Sequence, residues 1–413
     1  MKQQFKWKFR SRLRTNAFGW KGSKLAVQRI KEAVREISKV KDPLLRAEGA
    51  ILLLERLWPA TQHIDTSSGS LGTATSHAVH TLIPFIIAAP YAEDVRKKWL
   101  NRLWGAIVED GVDSLHEVTE RWGELCADQT VALRWADEFQ STHTLSWEMG
   151  GYFSGTPAYF SCLLQAQRYD ELLKQLDQAP YLAWFYRKFG VKALAALGKT
   201  DEAIRYAEAS QGKNDGYTQI AAACEAILID AGRSEEAYRR FALDVNTTNT
   251  NLARFRALVK KYPHKKPEVI LRDLIASTPG EEGKWFATAK SLGQFDVAAD
   301  LAHKSPVNIA TLNRAARDFM EKEPAFALQS SVAALHWLAA GKFYEITAVD
   351  VYAAVNYVRE ASKKVGCEQK ITQWLSELAA APNTEEFVRQ QIINATSCAR
   401  SLSENGRGYC ETV

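Results

Sequence analysis

Apolar residues recur at spacings of three and four along most of this chain and almost nowhere alternate. That pattern predicts helices throughout and no strand of useful length. Val27, Ile30, Val34 and Ile37 mark a first helix of about a dozen residues from Leu25. Asp42-Pro43 restarts a helix, with Asp as N-cap and Pro at the first helical position. It carries Leu44, Leu45, Ile51, Leu52, Leu54, Leu57 and Trp58, and is expected to stop before Pro59. Residues 65–76 are small, polar and glycine-bearing and read as a loop. Helices over 77–89, 92–109 and 113–140 place Trp99, Trp104, Trp122 and Trp135 on apolar faces. Gly150-Gly151 and Gly155-Thr156-Pro157 then break the chain and set a soft domain boundary.

Beyond residue 152 the pattern repeats. Ala196-Leu197-Gly198-Lys199-Thr200-Asp201-Glu202-Ala203 has a near copy in Asp230-Ala231-Gly232-Arg233-Ser234-Glu235-Glu236-Ala237, with the two glycines 34 residues apart. Weaker echoes lie at Gln167–Leu172 and Leu292–Ala298, and Lys266-Pro267-Glu268-Val269 fills the gap. Gly198 and Gly232 fall where a helix ends and the chain needs a left-handed residue. Thr200 and Ser234 are expected to cap the next helix, with acids in its positive first turn. Over roughly 160–305 the chain resembles the tetratricopeptide-like helical-repeat families in period and small-residue turn, although most consensus Trp, Leu, Gly and Tyr positions differ. That resemblance implies an α-solenoid of antiparallel helix pairs with a concave face, and no particular ligand. The whole chain, including Phe18-Gly19-Trp20, the stretch Ser277–Phe286 and Ala334–Leu338, is similar to a family of uncharacterised bacterial proteins, which implies no activity.

The resulting expectation is an all-α chain in five parts. They are a basic aromatic arm (1–24), an N-terminal helical region (25–150), a helical-repeat region (151–305), a C-terminal helical region (306–402) and a frayed tail (403–413). Within the later parts, Thr278-Pro279-Gly280-Glu281 reads as a capping box, Thr347 with Asp350 as a weaker one, and Thr384 before Glu385-Glu386 as the start of the last helix. The run 343–346 reads as loop.

Composition fits a folded chain, with 46% hydrophobic and 24% charged residues. No apolar run reaches the roughly 18 residues of a membrane span, and no apolar segment follows the basic N-terminus as in a secretory signal. Six scattered Cys without a CxxC pair fit free thiols and a cytoplasmic location. The net charge of +5 conceals an asymmetry: Met1 to Lys31 holds ten Lys or Arg and no acid.

That arm alternates Lys6, Lys8, Arg10, Arg12 and Arg14 with Trp7, Phe9, Ser11 and Leu13, so cations could meet phosphates while rings stack on bases. It also reads as a solvated tail, or as an aromatic arm docked on the first helices with its charges outward. His63, His77 and His80, with Asp65 nearby, could hold zinc, but no matching ligand motif follows. Ser67–Thr73 lacks the ending and the preceding strand of a phosphate loop. Cys126 shows no base, and Lys260–Lys266 reads as a soluble turn. Trp184, Tyr186, Arg187 and Trp285 are of the types favoured as interface anchors, or are packing between repeats.

Three functions follow, in order. The first is a non-enzymatic scaffold binding a protein partner, without cofactor, through Trp184, Tyr186, Arg187 and Trp285. The second is a nucleic-acid-binding accessory protein using the arm. The third is a metal protein or enzyme using His63, His77 and His80.

Overall fold

A computed structural model describes residues 5–90, 92–180, 183–212 and 216–404, with side chains to residue 396. The described residues are all-helical, with no strand. None of these helices is long and apolar enough to cross a membrane. The chain divides into two compact units, Met1–Arg233 and Ser234–Val413.

In the first unit a short turn of helix, α1 (Phe9–Arg12), leads to α2 (Ser23–Ser38), α3 (Pro43–Thr61), α4 (Ser70–Ile87) and α5 (Glu93–Glu109). Two short helices, α6 (His116–Glu120) and α7 (Trp122–Cys126), precede the long α8 (Gln129–Glu148). Then come α9 (Thr156–Gln165), α10 (Tyr169–Asp177), α11 (Trp184–Ala196), α12 (Thr200–Glu208) and α13 (Tyr217–Asp230). The glycine-rich stretch at 150–157 lies inside this unit, where α8 packs along α9. From α9 onward each helix packs on its successor, α9 also touches α11, and α11 touches α13.

The repeated sequence becomes a repeated turn. Gly198 and Gly232 both sit at φ 75°, a conformation that side chains with a Cβ resist. The amide after each reaches back five residues: Lys199 N donates to Leu194 O at 3.0 Å and Arg233 N to Leu228 O at 2.7 Å. Gln167 makes the same turn at φ 59°, with Arg168 N donating to Leu163 O at 2.9 Å. Because the left-handed residue is followed by only one bridging residue, Thr200 opens α12 rather than capping it. Lys199 holds the cap position, with no side-chain bond.

Three other sequence expectations are corrected. Pro59 does not end α3 but lies within it, and Pro84 lies within α4 as the helix read over 77–89 requires. Each removes one backbone bond, but Leu57, Ala60, Leu82, Ile83 and Ile86 are buried around them and hold the helix. The helix expected over 113–140 is broken twice. Ala127, at φ 60°, ends α7, and Asp128 accepts the amides of Thr130 and Val131 to start α8. The short α7 lies so close to α9 that a Cβ on Gly123 would meet the Ser161 carbonyl at 2.1 Å. Finally, α4 starts at Ser70, inside the stretch read as loop.

The core of this unit is aromatic. Trp104, Trp122, Trp135 and Phe139 pack with ring centroids 4.7–6.4 Å apart. His143, Trp147, Tyr159, Phe160, Tyr186 and Phe189 continue the packing into α9 and α11. Arg96 and His143 are among the polar groups sealed within this unit. Arg96, 1% exposed, donates to the carbonyls of Ile86 (2.8 Å), Ala89 (3.1 Å) and Leu125 (3.2 Å), joining the ends of α4 and α7 to α5. His143 is fully buried beside Thr156 Oγ1 at 3.2 Å, and burial pushes its pKa down to about 4.

The second unit opens with α14 (Ser234–Ala237), which runs through a wider π-turn at Tyr238–Ala242 into α15 (Leu243–Val245). It continues through α16 (Asn251–Lys261), α17 (Pro267–Ala276), α18 (Phe286–Ser291), α19 (Phe295–Lys304), α20 (Ile309–Phe319) and α21 (Pro324–Ala339). The last three helices are α22 (Ala348–Val365), α23 (Glu368–Ala380) and α24 (Glu386–Glu404). α20, α21 and α22 pack mutually, and α22 bears α23 and α24. Gly293, at φ 71°, repeats the turn of the first unit, with Gln294 N on Ala289 O at 3.1 Å. Thr347 and Asp350 form the expected capping box. Thr278 does not form one: it ends a turn, and its hydroxyl accepts Trp285 Nε1 at 2.9 Å. Thr384 gives its hydroxyl to the Leu378 carbonyl, and Glu385 accepts the Val388 amide in its place. The run 343–346 is loop, and the final residues 405–413 lie outside the described residues.

Two outcomes are expected. Arg96→Met should lower unfolding free energy by roughly 3 kcal/mol or more in urea titration, because three buried carbonyls lose a charged donor. His143 keeps a folded pKa below its unfolded value of about 6.5, so the unfolded chain binds the proton first. Stability is therefore full above pH 6.5 and falls by about 3 kcal/mol toward pH 4. His143→Phe should flatten that part of the stability–pH curve.

Candidate functional site

A polar concavity of the first unit lies where α6 and α7 face α11. Glu117, Glu120 and Glu124 recur at three and four, and so share one side of the broken α6–α7 segment. Trp184, Lys188 and Lys192 recur at four along α11. Between these rows is a cleft of about 550 Å³, closed by Phe185, by His80 from α4, by His116 and Arg121, and by Gln219 from α13.

Its floor is an ion pair between Lys188 and Glu120, whose side chains are 22% and 23% exposed. The Lys188 ammonium lies 4.9 Å from the Phe185 ring centroid. Burial pulls its pKa down, and the Glu120 carboxylate opposes the shift. Around the floor, Arg121 gives two hydrogen bonds to Glu124 (3.0 and 2.6 Å) and Ser76 gives one to Glu117 (2.5 Å). The Glu124 bonds raise the Arg121 pKa. The Lys192 ammonium, the His80 ring and the Gln219 amide belong to exposed residues at the rim. The arrangement can offer hydrogen bonds of either polarity beside two aromatic rings.

Of the anchors expected from sequence, only Trp184 lines this cleft, and it is largely buried. Tyr186 lies in the core, its ring 5.8 Å from Trp147 and 5.9 Å from Phe160. Arg187 clasps α11 to α12: its Nε donates to Ser210 Oγ at 2.8 Å and its guanidinium lies 3.9 Å over the Tyr206 ring. Trp285 belongs to the second unit and is fully buried. Tyr186, Arg187 and Trp285 therefore serve packing, because α11 and the 3-10 turn Glu282–Trp285 before α18 are each enclosed by several helices. Sequence reasoning missed Lys188 and Glu120. Lys188 sits one turn after Trp184, but nothing local marks Glu120 as its partner.

The arm is docked. Trp7, Phe9, Leu13 and Phe18 are buried, whereas Lys6, Lys8, Arg10, Arg12 and Arg14 are exposed. Trp7 covers Gly49, where an added Cβ would meet its ring at 2.4 Å. Trp7 therefore cannot stack on a base without leaving its seat. Among the described residues no three His, Cys, Asp or Glu side chains are grouped to hold a metal ion. His63, His77 and His80 are exposed and do not form the site considered above.

No protein-family model matches this chain, and no curated protein is significantly similar to it.

Removing the negative partner should leave Lys188 half-buried beside aromatic rings. Glu120→Gln is expected to cost about 1–2 kcal/mol of stability. Adding Lys188→Met should recover most of that loss, so a double-mutant cycle by urea unfolding will show a coupling well above 0.5 kcal/mol.

Proposed function

We propose that this chain is a non-enzymatic helical-repeat scaffold of the cytoplasm that binds a segment of a partner protein. In this reading α9–α13 are antiparallel pairs of a short tetratricopeptide-like solenoid, whose α11 and α13 line its inner wall. The near-identical turns at Gln167, Gly198 and Gly232 support that arrangement, since one repeated turn repeats one helix-to-helix angle. The single observation that carries the binding role is the cleft itself. It collects Trp184, Phe185, Lys188 and Gln219 from two repeat helices opposite a row of carboxylates. Aromatic rings beside paired charges can grip side chains of mixed polarity at modest ordering cost. Scattered thiols, with Cys126, Cys162 and Cys224 buried, suit a reducing compartment.

A photo-crosslinking residue in place of the exposed Gln219 should yield a discrete adduct with one protein in cells. The rim variant His80→Glu/Lys192→Glu should reduce that adduct about tenfold, the effect of 1.4 kcal/mol. No adduct, or one indifferent to the rim, would overturn the reading.

A further inference from the structure

The positive charge of this protein is concentrated in one short stretch. The first 41 residues hold thirteen Lys or Arg against two carboxylates, while residues 42–413 hold forty against forty-six and are net negative. A mildly basic protein is thus an acidic body carrying one strongly basic element.

That element is built rather than loose. Besides the buried Trp7, Phe9, Leu13 and Phe18, its backbone is fastened at several points. Glu36 accepts the amides of Lys8 (2.8 Å) and Phe9 (3.2 Å), and Arg56 donates to the carbonyls of Arg10 and Leu13 (both 3.2 Å). The Asn16 amide bonds the Pro59 carbonyl at 2.8 Å, and the Asp65 amide bonds the Trp20 carbonyl at 3.0 Å.

The two carboxylates are occupied internally. Glu36 holds the arm, and Glu32 takes Arg12 (2.9 Å), Arg29 (2.8 Å) and Gln28 (2.8 Å). Among the described cations of residues 5–41, only Arg12 and Arg29 appear in ion pairs. The others are exposed, and six of them line two recesses flanking α2. One, of about 780 Å³, is lined by Lys6, Lys8, Arg12, Arg35, Lys39 and Lys41 against Glu32, Glu36 and Asp42. The other, of about 620 Å³, is lined by Lys31 and the same Arg35.

We propose that the arm and α2 together form a nucleic-acid-binding face that holds the phosphate backbone in these basic recesses. The chemistry favours a nucleic acid over a bilayer. The cations line grooves, whereas a flat anionic surface meets convex ones, and most apolar side chains of the arm point inward and leave little to insert. Contact is to phosphates rather than to stacked bases, since Trp7 and Phe9 are sealed in the core and only Phe5 and Trp20 remain as exposed rings. Duplex and single strand are therefore both bound, without sequence preference.

The experiment is a fluorescence-anisotropy titration of the full chain against labelled duplex and single-stranded DNA of random sequence. Vesicles containing phosphatidylserine are run in parallel. Micromolar or tighter binding to DNA is expected at about 50 mM salt, weakening by at least about 100-fold at 200 mM, as four or more phosphate contacts require. Lys6→Glu/Lys8→Glu and Lys39→Glu/Lys41→Glu change exposed side chains only. Each should weaken binding about tenfold or more with an unchanged thermal unfolding curve. Absent binding, salt-insensitive binding, binding indifferent to both reversals, or tighter binding to the vesicles would each overturn the proposal.

Discussion

A left-handed residue at the end of a helix, followed by one bridging residue, is the constraint on which the repeat helices depend. The turn at Gln167, Gly198, Gly232 and Gly293 has φ between 59° and 75° and a following amide that reaches back to the last helical turn. It satisfies the helix-end carbonyls that would otherwise be buried without partners. It also fixes the angle at which the next helix leaves, and so decides which side chains of successive helices meet. At Gln167 the turn tolerates a Cβ, and the flanking contacts supply what the backbone resists.

Once α9, α10 and α11 are placed, the aromatic side chains must fill the space between them and α8. Trp104, Trp122, Trp135 and Phe139 fill one end, and Trp147, Phe160, Tyr186 and Phe189 the other. Carbonyls at the ends of α4 and α7 are buried against α5, and Arg96 meets three of them with a guanidinium, which can donate in several directions at once. The same crowding explains why Tyr186, an attractive interface residue by type, belongs to the interior. The Lys188–Glu120 pair survives at the edge of the crowd because water still reaches it.

The arm follows from a different balance. Four large apolar side chains within a dozen residues bury more surface than an isolated basic tail could leave exposed without cost. Docking them on α2 and α3 turns every intervening cation outward. Mutual repulsion of those cations is eased by Glu32 and Glu36, and the Arg29 hydrogen bond holds the Glu32 carboxyl below its usual range. Order and charge therefore come together: the residues that fasten the arm also set the spacing of the charges it displays.

The chain's own sequence determined what depends on neighbours within a few residues. Helical periodicity marked most helices, Asp42-Pro43 and Thr347/Asp350 marked two starts, and the repeated glycines marked the turns, because backbone sterics and capping bonds act locally. Only the tertiary structure decided the rest. It kept α3 helical through Pro59, broke α6 from α7 at Arg121, two residues before Gly123 meets α9, and chose Trp184 but not Tyr186 for the cleft. It paired Lys188 with a carboxylate 68 residues earlier and spent Glu36 on the arm's amides. These outcomes turn on which faces meet across the fold. One stripe of apolar residues says that a helix is buried on that side, and not what it is buried against.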